Sequence, residues 1–358
     1  MRAGRPILSQ IASTNATPAW ALVLGVCLAV LLSATPAASA RKRSHVGHKR
    51  SHSAAKKGRV AARSRPVPVY TRSGQPNIQA HAAVIIDVSA GGVPLYQKNP
   101  EEVRPIASIS KLMAMMVVLE RNLDLKGHTT ISADDAKLTT RGAKSRLQVG
   151  MTLTNEELLH AALMASDNRA VLALGRAVGL APAAFAQAMT ARARSLGLKK
   201  TTFGDPTGLD YRNVSTPREV VGMLQAALKN PLIAAACRST HYVVRSTTRP
   251  RDTVEYSNTD LLLRSTKHVI HGGKTGYNDR AGYCLVVAAR IVGGSHPVAG
   301  KGREVLMAFL GEEGKLTRFA DFGRAAQWLQ ERAPAPRTLS QASTGDATAS
   351  AQTPQRLL

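Results

Sequence analysis

Acidic residues are scarce in this chain and unevenly placed. Its 358 residues hold 23 Asp and Glu against 48 Lys and Arg, a formal net charge of +25. Residues 1–10, MRAGRPILSQ, contain two arginines and no acid. Residues 41–72 contain eleven Lys or Arg and again no acid. A long hydrophobic run is also missing. The most apolar stretch, AWALVLGVCLAVLLSA at residues 19–34, falls short of the roughly 20 residues that cross a bilayer. A positive start before it and the small residues Ala38 and Ala40 after it predict a secretory signal peptide over residues 1–40. Export to a periplasm is therefore expected, and an uncleaved anchor is disfavoured. Cys27 inside the run follows Val26, a poor setting for a lipoprotein site. Cysteine is rare as well. After cleavage two of the three remain, Cys237 and Cys284, and although an oxidising compartment permits a disulfide, their apolar settings predict unpaired buried thiols.

Residues 41–76 mix Lys and Arg with Ser, Ala, His and Pro. Such a segment cannot bury enough apolar surface to offset its ordering entropy, so a disordered linker is expected. It serves either as a solvated spacer or as a tether to an anionic surface, membrane headgroups or an acidic wall polymer. Export removes nucleic acid as its partner. Residues 333–358, rich in Pro, Ser, Thr, Ala and Gln, predict a second disordered tail. Between them, residues 77–332 have the size of a single large domain. No internal repeat is present. No metal set or cofactor motif stands out either: His45, His48 and His52 have metal-like spacing but lie in the basic segment, and His160 and His271 acquire no role.

Within that domain the pattern runs strands, helices, strands. HAAVIIDVSAGGVPLYQKN (81–99) reads as a hairpin around Gly91 and Gly92, and Pro105 then precedes a helix expected to run to about Arg121. ISADDAKL and SRLQVGMTL give no clear reading. Thr154 and Glu157 form a capping box before LLHAALMAS. A helical region follows Asn168, breaks at Gly179 and resumes at Pro182, and Thr216 and Pro217 open another helix. THYVVRST, RDTVEYSN, GYCLVVAARIVGG and EVLMAFLG read as strands. FADFGRAAQWLQE closes the domain as an amphipathic helix with Phe319, Phe322, Ala326 and Leu329 on one face. The terminal strands should share a sheet, which makes the fold class α+β.

The chemistry gathers in three short motifs. In PIASISKLMAMMVVLE, Ser108 and Lys111 stand three apart and share a helical face, while Ser110 points elsewhere. A serine hydroxyl needs a base, and a lysine can be that base once burial or a neighbouring cation lowers its pKa. The bland alternative is an N-capping serine followed by a lysine reaching out to water. Ser166-Asp167-Asn168 then follows an apolar helix, and Lys274-Thr275-Gly276 begins a buried strand. Each motif alone is unremarkable. The ordered trio S-x-x-K, S-D-N, K-T-G in an exported chain is not.

On these residues the chain resembles the penicillin-recognising acyl-serine hydrolases. Within them it is most similar to the low-molecular-mass penicillin-binding D-alanyl-D-alanine peptidases (peptidase S11), especially the endopeptidase branch. The likeness spans about residues 80–332 and includes LGLKKTTFGDPTGLDYRNVSTPRE, GGKTGYNDRAGYCLVVA and KLTRFADFGRAAQWL. It implies a three-layer α/β/α fold with an antiparallel sheet, and peptidoglycan stem peptides as substrates, with β-lactams as inhibitors. By the same likeness Ser108 is the nucleophile, Lys111 the general base and Ser166 the proton relay, with Asn168 holding the acyl side chain and the lysine. Lys274 keeps the field positive and, with the Thr275 hydroxyl, binds a substrate carboxylate. The amides of Ser108 and Tyr277 form the oxyanion hole, and Gly276 lets substrate backbone lie along the strand edge. Arg318 falls where related peptidases hold an arginine near that carboxylate; a surface arginine on the last helix is the alternative.

Three comparisons narrow the activity. A class A β-lactamase needs a carboxylate after the SDN to activate water. Residues 169–202 contain no Asp or Glu, and Asp205 in FGDPTG reads as a turn former. Carboxypeptidase relatives commonly carry a second β-rich domain, for which the residues after Gly276 leave no room, so cleavage of cross-links is favoured over trimming of pentapeptides. A wall-binding module without turnover would not need Lys111. Relatives often place Thr two residues past the KTG glycine; this chain has Asn278, which bears on substrate preference.

Overall fold

β1 (Ala82–Asp87) sends alternate side chains into two different cores. Ala82 and Val84 join one cluster, Ala83 and Ile85 the other. A strand buried on both faces must lie inside a sheet covered on both sides. That is the arrangement found in the structure, a computed structural model that describes residues 67–88, 91–249, 251–293 and 302–332. The chain divides into two units, Met1–Arg63 and Ser64–Leu358, and every described residue belongs to the second. The signal peptide, most of the basic linker and the C-terminal tail expected from sequence lie outside the described residues.

β2 (Val93–Lys98) returns antiparallel to β1, past Gly91 and Gly92 at φ +76° and +81°, as the hairpin reading requires. β3 (Arg104–Pro105) leads into a 3₁₀ turn, Ala107–Ser110, and α1 (Lys111–Leu119). The helix expected after Pro105 is thus a tight turn followed by a shorter helix. The two stretches without a clear reading contain α2 (Ala133–Leu138) and β5 (Thr152–Thr154), the latter paired with β4 (His128–Thr130). α3 (Asn155–Met164) starts at the expected Thr154–Glu157 capping box. α4 (Asn168–Ala177), α5 (Pro182–Ser195), β6 (Val214–Ser215), α6 (Pro217–Leu228) and α7 (Pro231–Arg238) follow. β7 (His241–Arg245) and β8 (Thr253–Ser257), both anticipated as strands, pair only with each other. β9 (Val269–Asn278), β10 (Gly282–Ile291), β11 (Arg303–Glu312) and α8 (Thr317–Glu331) complete the domain.

The main sheet has the order β2-β1-β11-β10-β9, antiparallel throughout. The first and last strands do share it. β10 and β11 alternate as β1 does: Val286, Ala288, Leu306 and Ala308 face one core, Leu285, Val287, Met307 and Phe309 the other. α6 covers the first face over β1, β10 and β11, and α1 packs behind it among α3, α4 and α5. α8 covers the second face with Phe322, Ala325, Ala326, Trp328 and Leu329. The expected face of that helix is correct except that Phe319 is only partly buried. Packing begins before Asn77, since Tyr70 joins the second core. The architecture is the three-layer α/β/α sandwich.

One polar device fastens α8 to this sheet. Asp321 is fully buried and accepts from the amides of Gln79 (2.9 Å) and Ala80 (2.7 Å) and from Arg324. Glu312 is buried beside it, and burial together with the Asp321 carboxylate raises its pKa. The folded chain then binds this proton more tightly than the unfolded chain. Stability should fall as pH rises from the ordinary carboxyl range through the folded value. Glu312→Gln keeps a donor toward Asp321 and removes the titration. It is expected to melt higher than wild type near pH 8.5 and to lose that advantage near pH 5; equal pH dependence in both proteins would contradict the raised pKa of Glu312.

Candidate active site

The site begins with a strained residue. Ala107 adopts φ +46°, a region that costs an alanine about 1–3 kcal/mol, and it turns the chain sharply from β3 into the 3₁₀ turn carrying Ser108. Neighbouring contacts hold the turn in place. The Ile106 amide donates to the Asn213 carbonyl at 3.0 Å. Ser110 Oγ donates to the Ala107 carbonyl at 2.7 Å and accepts from Asn213 Nδ2 at 2.9 Å. Ser110 therefore braces the turn and does not cap α1.

Lys111 opens α1 and does not reach water. It is 0% exposed, which excludes the snorkelling alternative. Its Nζ donates to Ser108 Oγ (2.8 Å), Asn168 Oδ1 (2.8 Å) and the Thr207 carbonyl (2.5 Å). Burial, reinforced by the charge of Lys274, lowers this lysine to about 7 against the pull of Asp205 and Asp167. Near neutral pH an appreciable fraction is an amine, whose lone pair can accept the Ser108 proton along the same line.

The second motif is set by the break between α3 and α4. Ser166 stands at φ +62° in that break. Asp167 caps α4 by accepting from the amides of Arg169 (3.0 Å) and Ala170 (3.3 Å). It also accepts from Ser145 Oγ and from Tyr256 OH at 3.0 Å, so Asp167 is scaffolding. That cap turns Asn168, the first residue of α4, toward Lys111. The Ser166 hydroxyl makes no hydrogen bond to a described residue, but it lines the same cleft as Ser108.

The third motif lies within an edge strand and not at a strand start as the sequence suggested: residues 274–276 fall well inside β9. Lys274 is 1% exposed and donates to the Thr275 carbonyl at 3.0 Å. Burial lowers it to about 8, with Arg318 acting in the same direction. Gly276 is required by the protein's own backbone. A Cβ there would lie 2.6 Å from the Ile106 carbonyl and 3.3 Å from the Ser108 amide nitrogen. This close approach sets the Ser108 amide beside the strand that continues into Tyr277. Arg318 is not a surface residue. It is buried, its Nη1 donates to the Gly276 carbonyl at 3.1 Å, and its guanidinium lies over Tyr283.

A fourth element, read from sequence as no more than a turn, closes the site. In residues 204–213, Asp205 accepts from the amides of Thr207 (3.0 Å), Gly208 (3.0 Å) and Asp210 (3.1 Å), as expected of Asp in a tight turn. That turn aims the Thr207 carbonyl at Lys111. Asn278 ties it to β9: Nδ2 donates to the Gly208 carbonyl at 3.1 Å, and Oδ1 accepts from the Arg280 and Ala281 amides. Ser108, Ser166, Asn168, Thr275, Tyr277 and Arg318 all line one cleft of about 1090 Å³. Cys237 and Cys284 are free buried thiols, raised by burial to about 12 and about 11.

A serine bonded to a buried, proton-poor lysine, with a KTG edge strand beside it in an α/β/α frame, defines the penicillin-recognising acyl-serine class. Comparison with known proteins agrees. The D-alanyl-D-alanine carboxypeptidase family, peptidase S11, matches residues 70–297, and the chain belongs to that family. It is 36% identical over 260 residues to a D-alanyl-D-alanine endopeptidase of Escherichia coli (strain K12), covering 73% of this chain and 80% of that one. Identity is also 36% over 270 residues with a D-alanyl-D-alanine endopeptidase of Pseudomonas aeruginosa, covering 75% and 83%. Among solved structures, the Streptomyces K15 DD-transpeptidase superposes with a TM-score of 0.63 at 28% identity, covering 71% of this chain and 98% of that one.

Proposed function

We propose that this protein is a serine D-alanyl-D-alanine endopeptidase that cuts peptide cross-links in peptidoglycan through an ester on Ser108. The observation that carries the reading is the 2.8 Å contact between Ser108 Oγ and a Lys111 Nζ buried beyond the reach of water. Neutral Lys111 takes the Ser108 proton as Oγ attacks the carbonyl carbon of a D-Ala residue. The oxyanion is held by the amides of Ser108 and Tyr277. Ser166 relays the proton taken up by Lys111 to the leaving nitrogen and regains its own hydroxyl proton, the C–N bond breaks, and water later hydrolyses the ester. Thr275 and Arg318 hold the carboxylate next to the leaving amine, and Lys274 keeps that end cationic. The productive form needs Lys111 neutral and Lys274 charged, so acylation should peak between about pH 7 and about pH 8.

A β-lactam would open on the same serine with its leaving nitrogen still tethered. Asp205 is occupied by three amides, which leaves it unsuited to activating water, so the adduct should be long-lived. The names of the two endopeptidase relatives favour cross-links as the substrate, while the family description favours trimming of a terminal D-Ala. The two readings separate by products. Purified protein should convert cross-linked muropeptide dimers to monomers and leave pentapeptide monomers intact; the reverse pattern would make it a carboxypeptidase. The excess of Lys and Arg in residues 41–72 suits an exported enzyme held at an anionic wall or membrane surface. Its retention on such a surface should weaken as salt rises.

A further inference from the structure

Behind Lys274 stands a buried acid that none of the steps above uses. Asp260 follows β8 and caps the 3₁₀ turn Leu261–Arg264. Its Oδ1 accepts from the Leu262 amide at 3.0 Å, and its own amide donates to Asn258 Oδ1 at 2.8 Å. The residue is 1% exposed, yet Oδ2 has no hydrogen-bond partner among the described residues. A cap needs one oxygen and no charge, since serine or asparagine would serve. Burying a carboxylate with a bare oxygen is costly unless a charge nearby compensates.

That oxygen faces β9. A Cβ on Gly273 would lie 2.7 Å from Oδ2, so glycine before Lys274 is what lets strand and carboxylate approach. The adjoining residue meets the site directly: Thr259 Oγ1 accepts from Thr275 Oγ1 at 2.7 Å, and the Thr259 amide donates to the Met164 carbonyl at 3.1 Å, two residues before Ser166. The cations acting on Asp260 are Lys274 from β9 and Arg318 from α8. Besides burial, Lys274 is acted on by Cys237 from α7, which stays a neutral thiol, by Arg318, which favours loss of its proton, and by Asp260, while Lys274 itself acts on Lys111 from α1. Asp260 is the acid in this set.

We propose that Asp260 is a positioning residue of the reaction, a buried counter-charge set behind β9 that keeps Lys274 cationic while Lys111 gives up its proton. The inference rests on the role given to Lys274 above. Burial raises Asp260 only to about 6, so it is ionised over the range in which acylation should run.

The test is the pH profile of acylation by a fluorescent penicillin, followed from about pH 5 to about pH 10. Wild type should rise through about 7 and fall beyond about 8. In Asp260→Asn, which keeps the cap without the charge, the alkaline limb should move down by about one pH unit while the acid limb stays. A variant that labels more slowly at every pH, with both limbs unmoved, would mean a purely structural cap and overturn the proposal. If the asparagine variant does not fold, Asp260→Ser retains a capping oxygen and carries the same expectation. A wild type without two limbs, or labelling that survives Ser108→Ala, would instead overturn the acyl-enzyme reading on which the inference rests.

Discussion

Replacing Lys111 with methionine should slow acylation of Ser108 about a thousandfold while leaving the melting temperature at pH 6 within a few degrees of wild type. The two effects come apart because the lysine has opposite values to folding and to chemistry. It lies wholly buried in a helix of Met, Leu and Val, where a charged ammonium is expensive to desolvate. Methionine fills similar volume without charge, but it leaves Asn168 Oδ1 and the Thr207 carbonyl without their donor, at about 1–3 kcal/mol each. These costs largely offset. The sign of the pH dependence follows from the lowered pKa. The unfolded chain binds the Lys111 proton more tightly, so wild type gains stability as pH rises from about 7 toward the ordinary lysine range. The variant lacks that gain, and its stability relative to wild type should be greatest below pH 7. Thermal melts at pH 6 and pH 9 beside penicillin labelling rates check both halves. Near-normal labelling would remove Lys111 as the base.

Gly208→Ala should damage both stability and acylation although residue 208 contributes no side chain. Its φ is +89°, and a Cβ would fall 2.3 Å from the Ala107 carbonyl oxygen and 2.7 Å from the Ser108 amide nitrogen. Backbone cannot yield there without moving Ser108. The strain alone is worth about 1–3 kcal/mol, and the clash adds to it. A fall in melting temperature of at least about 5 °C and a loss of about a hundredfold in labelling rate are expected. Serine at position 208 should behave like alanine; unchanged labelling by either variant would mean that the turn does not set the Ser108 geometry.

These predictions also show where sequence reading stops. Ser108, Lys111, Asn168 and Lys274 stood out in the sequence because the roles proposed for them each need a side chain at a fixed spacing. The sandwich was legible because β1, β10 and β11 are apolar at consecutive positions and α3 and α6 open on caps that the sequence displays. The Thr207 carbonyl was not, since a main-chain acceptor leaves no mark in residue type; the only trace was the DPTG turn that aims it. Gly276 was noticed for the substrate's sake, whereas its nearest neighbour is the Ile106 carbonyl, a contact between residues 170 apart in the chain. Asp260 was invisible for a similar reason. Nothing in SNTDLLLR announces that its carboxylate faces the strand carrying Lys274. For Arg318 the sequence left a site residue and a surface arginine both open, because helix periodicity says nothing about what the neighbouring strand covers.

The central claim is that Ser108 becomes an ester. Intact protein exposed to a penicillin near pH 7.5, digested and weighed, tests it most directly. The adduct is expected as one equivalent on the peptide containing Ser108, persisting for many minutes, and absent from Ser108→Ala. An adduct on another residue, or none on folded wild-type protein, would contradict the account.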